Sequence, residues 1–312
     1  MNKLPELKLF VLAAFLACAS MAAAQLPNEK FGKPSNMEWD FAGWGKAVDA
    51  DAIILCKTMK VTYKITDQTT SYNRSDNDVS IDVLGDFGKN MIDEGNILAN
   101  YEIRLRTKIL KPDGARCANI DITCFNADNN ININHDELSD MKITVFSKNE
   151  KGKVEKRKVN VKDFTKERID SNYEVIHVTV PDVQAGNIIE YQYNITSIRP
   201  HFIYDWLFQE SIPTVHSKCD IDIPAMLQFN MNVPINKLIK SSVKAGRLAY
   251  DTNRSDFKRD NSCVTNHYEI VGDYILPDEE EIAPFTSRIN LPNVTLPAFM
   301  PEGYTHLKIL NK

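Results

Sequence analysis

After residue 24 the chain has no apolar run long enough to cross a bilayer as a helix, which takes about 20 residues. It contains no C-x-x-C, H-x-x-x-H or H-E-x-x-H, so zinc has no local ligand spacing. The glycine-rich G-x-G-x-x-G turn, the P-loop and the G-x-S-x-G elbow are all missing, which removes the local signatures of dinucleotide, nucleotide and hydrolase sites. Long helical periodicity is nearly absent, and that argues against a helix bundle. Basic residues are scattered rather than massed in a chain of net charge −5, so no electrostatic footprint for nucleic acid stands out. The cysteines are too few for a disulfide framework in 312 residues.

What is present is ordinary globular composition, 43% hydrophobic and 25% charged, at a length that fits one large domain or two smaller ones. The first 24 residues read as a signal peptide. Lys3 and Lys8 form a weakly basic start, Leu9 to Leu16 an apolar core, and Ala22-Ala23-Ala24 a small-x-small cleavage pattern before Gln25. Removing them deletes Lys3, Glu6 and Lys8, so the mature chain carries one negative charge more. Phe15-Leu16-Ala17-Cys18 offers a lipoprotein alternative anchored through Cys18, with its leucine one place late. The expected location is extracytoplasmic, in the periplasm or secreted, with no transmembrane segment.

Cys56, Cys117, Cys124, Cys219 and Cys263 remain after cleavage, an odd number that leaves at least one unpaired within the monomer. Cys117 and Cys124 on one extended strand would lie about 23 Å apart. A disulfide needs Cα atoms within about 7 Å, so these two can bond only if Asn119 to Asp121 turns the chain.

Period-two alternation dominates. Leu55, Val61, Tyr63 and Ile65 share one parity; Tyr101, Ile103, Leu105 and Ile109 alternate with Glu102, Arg104, Arg106 and Lys108. The pattern recurs at Met141, Ile143 and Val145, at Val159 and Val161, and at Ile176, Val178 and Val180. It returns at Ile189, Tyr191, Tyr193 and Ile195, at Cys219, Ile221 and Ile223, and at Leu227, Phe229, Met231 and Val233. Val264, Tyr268 and Ile270 close the series. Each reads as a strand with one buried and one wet side. Val161 to Ile169 reads as a short turn or helix. Pro112-Asp113-Gly114 ends one strand, Lys151-Gly152-Lys153 sits as a hairpin turn, and Pro181-Asp182 with Gly186 joins two strands. Many short strands with such turns predict an all-β fold, a large antiparallel β-sandwich. Ile189, Tyr191, Tyr193 and Ile195 then form a core wall against Ile176, Val178 and Val180, with Glu190 and Gln192 on the other face.

The candidate chemistry is thin. His135, His177, His201, His216, His267 and His306 are spread out, and His177 and His267 fall on the polar parity of their strands. A nucleophilic pair from distant residues, such as Cys219 with His267, has no local mark of activation. Asp128, Asn130 and Asn132 begin like a calcium loop, but Ile133 stands where the turn demands glycine and Ser139 where a bidentate glutamate belongs. Asp278-Glu279-Glu280-Glu281 reads as a solvated loop. No catalytic, cofactor-binding or metal residue is assigned, and no cofactor is expected.

Four stretches carry a resemblance. "EKFGKPS" (29–35) is similar to mature N-termini of exported Bacteroidetes proteins. "YEIRLRTKILKPDG" (101–114), "VPDVQAGNIIEYQYNI" (180–195) and "YDWLFQESIPT" (204–214) resemble DUF3857, a domain of unknown function, over roughly residues 50–300. The resemblance implies a β-sandwich-like domain that precedes a transglutaminase-like domain in secreted or periplasmic bacterial proteins. In relatives a catalytic Cys-His-Asp domain follows the segment matched by "NLPNVTLPAF" (290–299). This chain stops at Lys312, as a stand-alone copy or a truncated frame, and none of its cysteines matches that nucleophile.

The expected layout is a signal peptide at 1–24, an N-terminal arm at 25–50, the β-sandwich domain at 51–289 and a linker-like, proline-containing tail at 290–312, mobile after about residue 300. The expected function is a non-enzymatic exported accessory or interaction module whose partner is a transglutaminase-like domain or another exported protein. The alternative is a surface glycan- or peptide-binding protein using Trp39, Trp44 and Trp206.

Overall fold

A computed structural model describes residues 27, 29–65, 97–126, 135–160, 164–197, 199, 200, 202–224, 227, 229–249, 262–278 and 281–289. The signal segment with Cys18, the calcium-like start at 128–133, Val161, His201, His306, Glu279, Glu280 and the tail from 290 lie outside them.

Among the described residues, thirteen strands follow one short α-helix, α1 (Asn36–Asp40). They are β1 (Ala52–Ile65), β2 (Ile97–Ile109), β3 (Ile120–Phe125), β4 (Glu137–Lys148), β5 (Val154–Lys158), β6 (Thr165–Arg168) and β7 (Tyr173–Val178). β8 (Ile188–Ser197), β9 (Thr214–Pro224), β10 (Phe229–Asn232), β11 (Ile239–Ala249), β12 (Ser262–Ile275) and β13 (Thr286–Ile289) complete the set. An eight-stranded sheet has the order β11-β12-β9-β1-β2-β8-β4-β5, a three-stranded sheet the order β3-β7-β6, and β10 pairs with β13. One face of the large sheet packs on the small sheets through a core that includes Met59, Tyr101, Tyr191, Ile122, Ile176 and Phe285. The predicted all-β class and layered core are therefore present.

Ile189, Tyr191, Tyr193 and Ile195 are all buried in that core, as their alternation predicts. The Tyr191 hydroxyl, carried into the interior by its ring, donates to the Ala118 carbonyl. Tight junctions hold the layers: a Cβ on Gly114 would stand 2.1 Å from the Asp51 carbonyl oxygen, so glycine permits that approach.

The structure departs from the sequence reading at five points. The large sheet is mixed, because β1 runs parallel to β9 while antiparallel to β2. A register shift between Ile54 and Cys56 reverses the parity of β1, so Leu55 packs on the outer face while Val61 and Tyr63 face the core. β7 and β8 are not a hairpin: β7 pairs with β3 and β6, and β8 with β2 and β4. Pro181 lacks an N–H for a ladder, and the turn at Gly186 (φ 87°) carries the chain from one layer to the other. Residues 165–168 form strand β6, pairing with β7, rather than a helical turn. The polar side of β2 and β8 is only partly wet, for Arg106, Lys108 and Glu190 are buried while Glu102, Arg104, Gln192 and Asn194 keep some exposure.

Candidate functional site

Four thiols, the candidate nucleophiles, lie among the described residues. Cys56, Cys117, Cys124 and Cys219 are all free. Burial pushes Cys56 and Cys124 up to about 12 and raises Cys219 well above its ordinary value. Burial also raises Cys117. Asn119 keeps an extended backbone, so the chain does not fold back to join Cys117 to Cys124. Cys219 sits in the core, whereas His267 bonds Asp222 on the opposite face of the same sheet. The sheet itself separates that candidate pair. The side chain of Cys263 lies outside the described residues.

Three histidines do find carboxylates, and strand register brings them together. His177 stands opposite Asp121 and bonds it at 2.7 Å, with Glu167 at 3.1 Å. His267 stands opposite Asp222 and His216 opposite Asp273, each pair at 2.8 Å. His177 and His267 lie on the polar faces, as predicted; their acidic partners come from other strands and leave no local signal. Asp220, His267 and Glu269 bring ligand atoms within 4.8 Å of one another, close enough to hold a metal ion. Lys218 already supplies a cation there, 3.1 Å from Asp220 and 3.2 Å from Glu269. Burial raises the Asp220 carboxyl against the lowering effect of Lys218, whose hydrogen bond lowers Glu269.

The outer face of the large sheet is crossed by the arm. Ser35 and Glu38 cap α1 reciprocally, the S-x-x-E capping box being legible in "SNME". Glu38 then turns its carboxylate onto Arg106, which also grips Glu190 with two donors at 2.8 and 2.6 Å. Arg106 reaches the Lys30 carbonyl at 2.7 Å, and the Gly32 amide donates to Glu190 at 2.7 Å. Lys108 gathers the carbonyls of Glu38, Trp39 and Phe41 at the end of α1, where a cation suits the helix dipole. Beside this polar latch, Trp39 and Ala47 pack on Ile53, Leu55, Phe146 and Ile188.

The aromatic candidates are not displayed. Trp39 is 8% and Trp206 3% exposed. Trp44 packs edge-on to Tyr274, with ring centres 5.3 Å apart. Lys57 lies 4.4 Å from the centre of the Trp206 ring and pairs with buried Glu210. The cavity beside them is about 20 Å³, room for a single water.

These features define a layered β protein whose polar clusters join strands to one another. The chain belongs to the family "Domain of Unknown Function with solved-structure structure" (DUF3857), whose sequence profile matches residues 98–260. Comparison with curated proteins finds no match. A solved structure from Parabacteroides distasonis ATCC 8503, described as a "putative protease", is similar over 77% of this chain and 40% of that one, at 12% identity and a TM-score of 0.46. The chain thus spans less than half the length of that protein. Among the described residues no helix is long and apolar enough to cross a membrane.

Proposed function

We propose that this chain is a non-catalytic, exported β-sandwich module that works by contact with another protein. The observation that carries the reading is the state of the thiols: the buried ones are held protonated by desolvation, and the candidate base His267 lies across the sheet from Cys219. Burial of Trp39 and Trp206 argues against an aromatic glycan platform. Export rests on the signal-like start, with cleavage after Ala24 rather than acylation at Cys18; the mature N-terminus read by intact mass separates the two. The resemblance supplies the partner class, a transglutaminase-like domain or another exported protein, and the layout of arm 25–50, domain 51–289 and linker 290–312.

Thiol labelling of the native protein tests the non-catalytic reading. Iodoacetamide at pH 7 should leave Cys56, Cys124 and Cys219 unmodified until denaturant is added. Rapid labelling of any one of them in the folded protein means an activated thiol and overturns the reading.

A further inference from the structure

The scatter of basic residues read from the sequence does not hold around β5 and β6. Residues 151–168 hold eight basic and three acidic residues, a net +5 in a chain of net −5. β5 is the last strand of the large sheet and β6 the last of the three-stranded sheet, and both are almost wholly exposed. Several of these cations turn back onto the protein. Arg157 bonds the Pro181 carbonyl at 2.6 Å, Lys166 pairs with Glu174 at 3.0 Å, and Arg168 reaches the Asn126 carbonyl at 2.8 Å. Lys156 bonds the Gly32 carbonyl, and Lys148 of the adjacent β4 lies 3.9 Å from Asp40. Lys142, Lys151, Lys153 and Lys158 are exposed and have no carboxylate in ion-pair range among the described residues.

We propose that the β5 edge docks an acidic, extended segment of a partner protein, which adds to the large sheet as a further strand. This rests on the interaction-module reading and gives it a surface. An edge strand leaves one row of backbone donors and acceptors unpaired, and strand addition satisfies them. Lysine on such an edge discourages a second copy, because like charges then stand opposite one another. An acidic strand meets the same lysines as cross-strand partners of opposite charge. Lys156 and Lys158 share one side of β5, so acidic residues at alternate positions match their spacing. β6 is the poorer dock, since Lys166 already pairs with the Glu174 carboxylate, whereas Lys156 of β5 holds only the Gly32 carbonyl and Lys158 has no carboxylate in range among the described residues.

The probe is a fluorescent eight-residue peptide alternating glutamate and valine, compared with one of the same charge carrying two prolines. The alternating peptide should bind and weaken with salt. The proline peptide, and the Lys153→Glu/Lys158→Glu variant with the alternating peptide, should each bind at least about tenfold more weakly. Both lysines are exposed, so the variant should keep the wild-type Tm, and hydrogen exchange should slow at 154–158 on binding. Equal binding of the proline peptide, protection elsewhere, or no binding overturns strand docking. Preference for phosphatidylglycerol vesicles or polyphosphate over the peptide also overturns it, in favour of a phosphate surface. None of these outcomes touches the module reading, which falls only to the thiol assay.

Discussion

Arg106 has no exposed side-chain surface and carries two carboxylates, Glu38 and Glu190, across the boundary between arm and sheet. Removing such charges from water is costly, and their attraction offsets that cost only while the set is complete. Arg106→Met should therefore cost about 3–5 kcal/mol, because two anions stay buried without their cation. Urea unfolding measures it, and adding Glu38→Gln and Glu190→Gln should recover part of the loss. A cost under about 1 kcal/mol means the latch is solvated in solution. His177 gives the pH counterpart. Its hydrogen bond to Asp121 raises it above 6.5, opposed by slight burial and helped by Glu167. A value raised in the folded state means that protonation favours folding. The contribution is complete below pH 6.5, while the carboxylates stay ionised, and disappears as pH rises through the raised value. NMR titration should find His177 above 6.5 and Asp121→Asn should bring it down; no change on that substitution rejects the pairing. Alternation in the sequence marks which residues share a face, so the sides of Arg106 and His177 are legible. What covers a face, and which acid stands opposite, depends on strands and an arm distant in sequence.

At the scale of elements, β2, β8 and β9 are legible because three or more apolar residues alternate without interruption in each. β8 supplies the sharpest test, since Tyr191 fills the core with its ring and bonds the Ala118 carbonyl with its hydroxyl. Tyr191→Ala should lower stability by about 3–5 kcal/mol through lost packing and the cavity left behind. A loss below about 1 kcal/mol at normal expression would show that the site collapses without cost. Other elements are not legible, for physical reasons. "TKER" of β6 has no apolar face, and its strand form comes from pairing with β7. The shift in β1 moves Leu55 by one residue, which in a structure of period two is enough to change sides. Two strands adjacent in sequence, β7 and β8, look like a hairpin until the partners that each prefers are known.

For the whole molecule, the family match at 98–260 and the folded sheet do not coincide. β9 lies inside the match, but both of its neighbours, β1 and β12, lie outside it. β11 pairs with β12 and β10 with β13, so their partners are outside as well. The core would also lose Met59, Val61, Tyr63, Ile270 and Ile275. A fragment of residues 98–260 therefore keeps the three-stranded sheet β3-β7-β6 and only β2-β8-β4-β5 of the large sheet, and leaves three strands with no ladder at all. Strands without partners expose backbone groups and apolar faces together, and a core missing its central strand buries too little surface to offset the entropy of ordering the chain. The fragment should show no cooperative unfolding transition and no slowed amide exchange in β9, β10 or β11. A fragment of residues 25–289, which restores β1, β12, β13 and the arm, should unfold in one transition with β9 among its most protected strands. If 98–260 alone unfolds cooperatively with β9 protected, the matched segment is an independent domain and β1 is an addition to it rather than its centre.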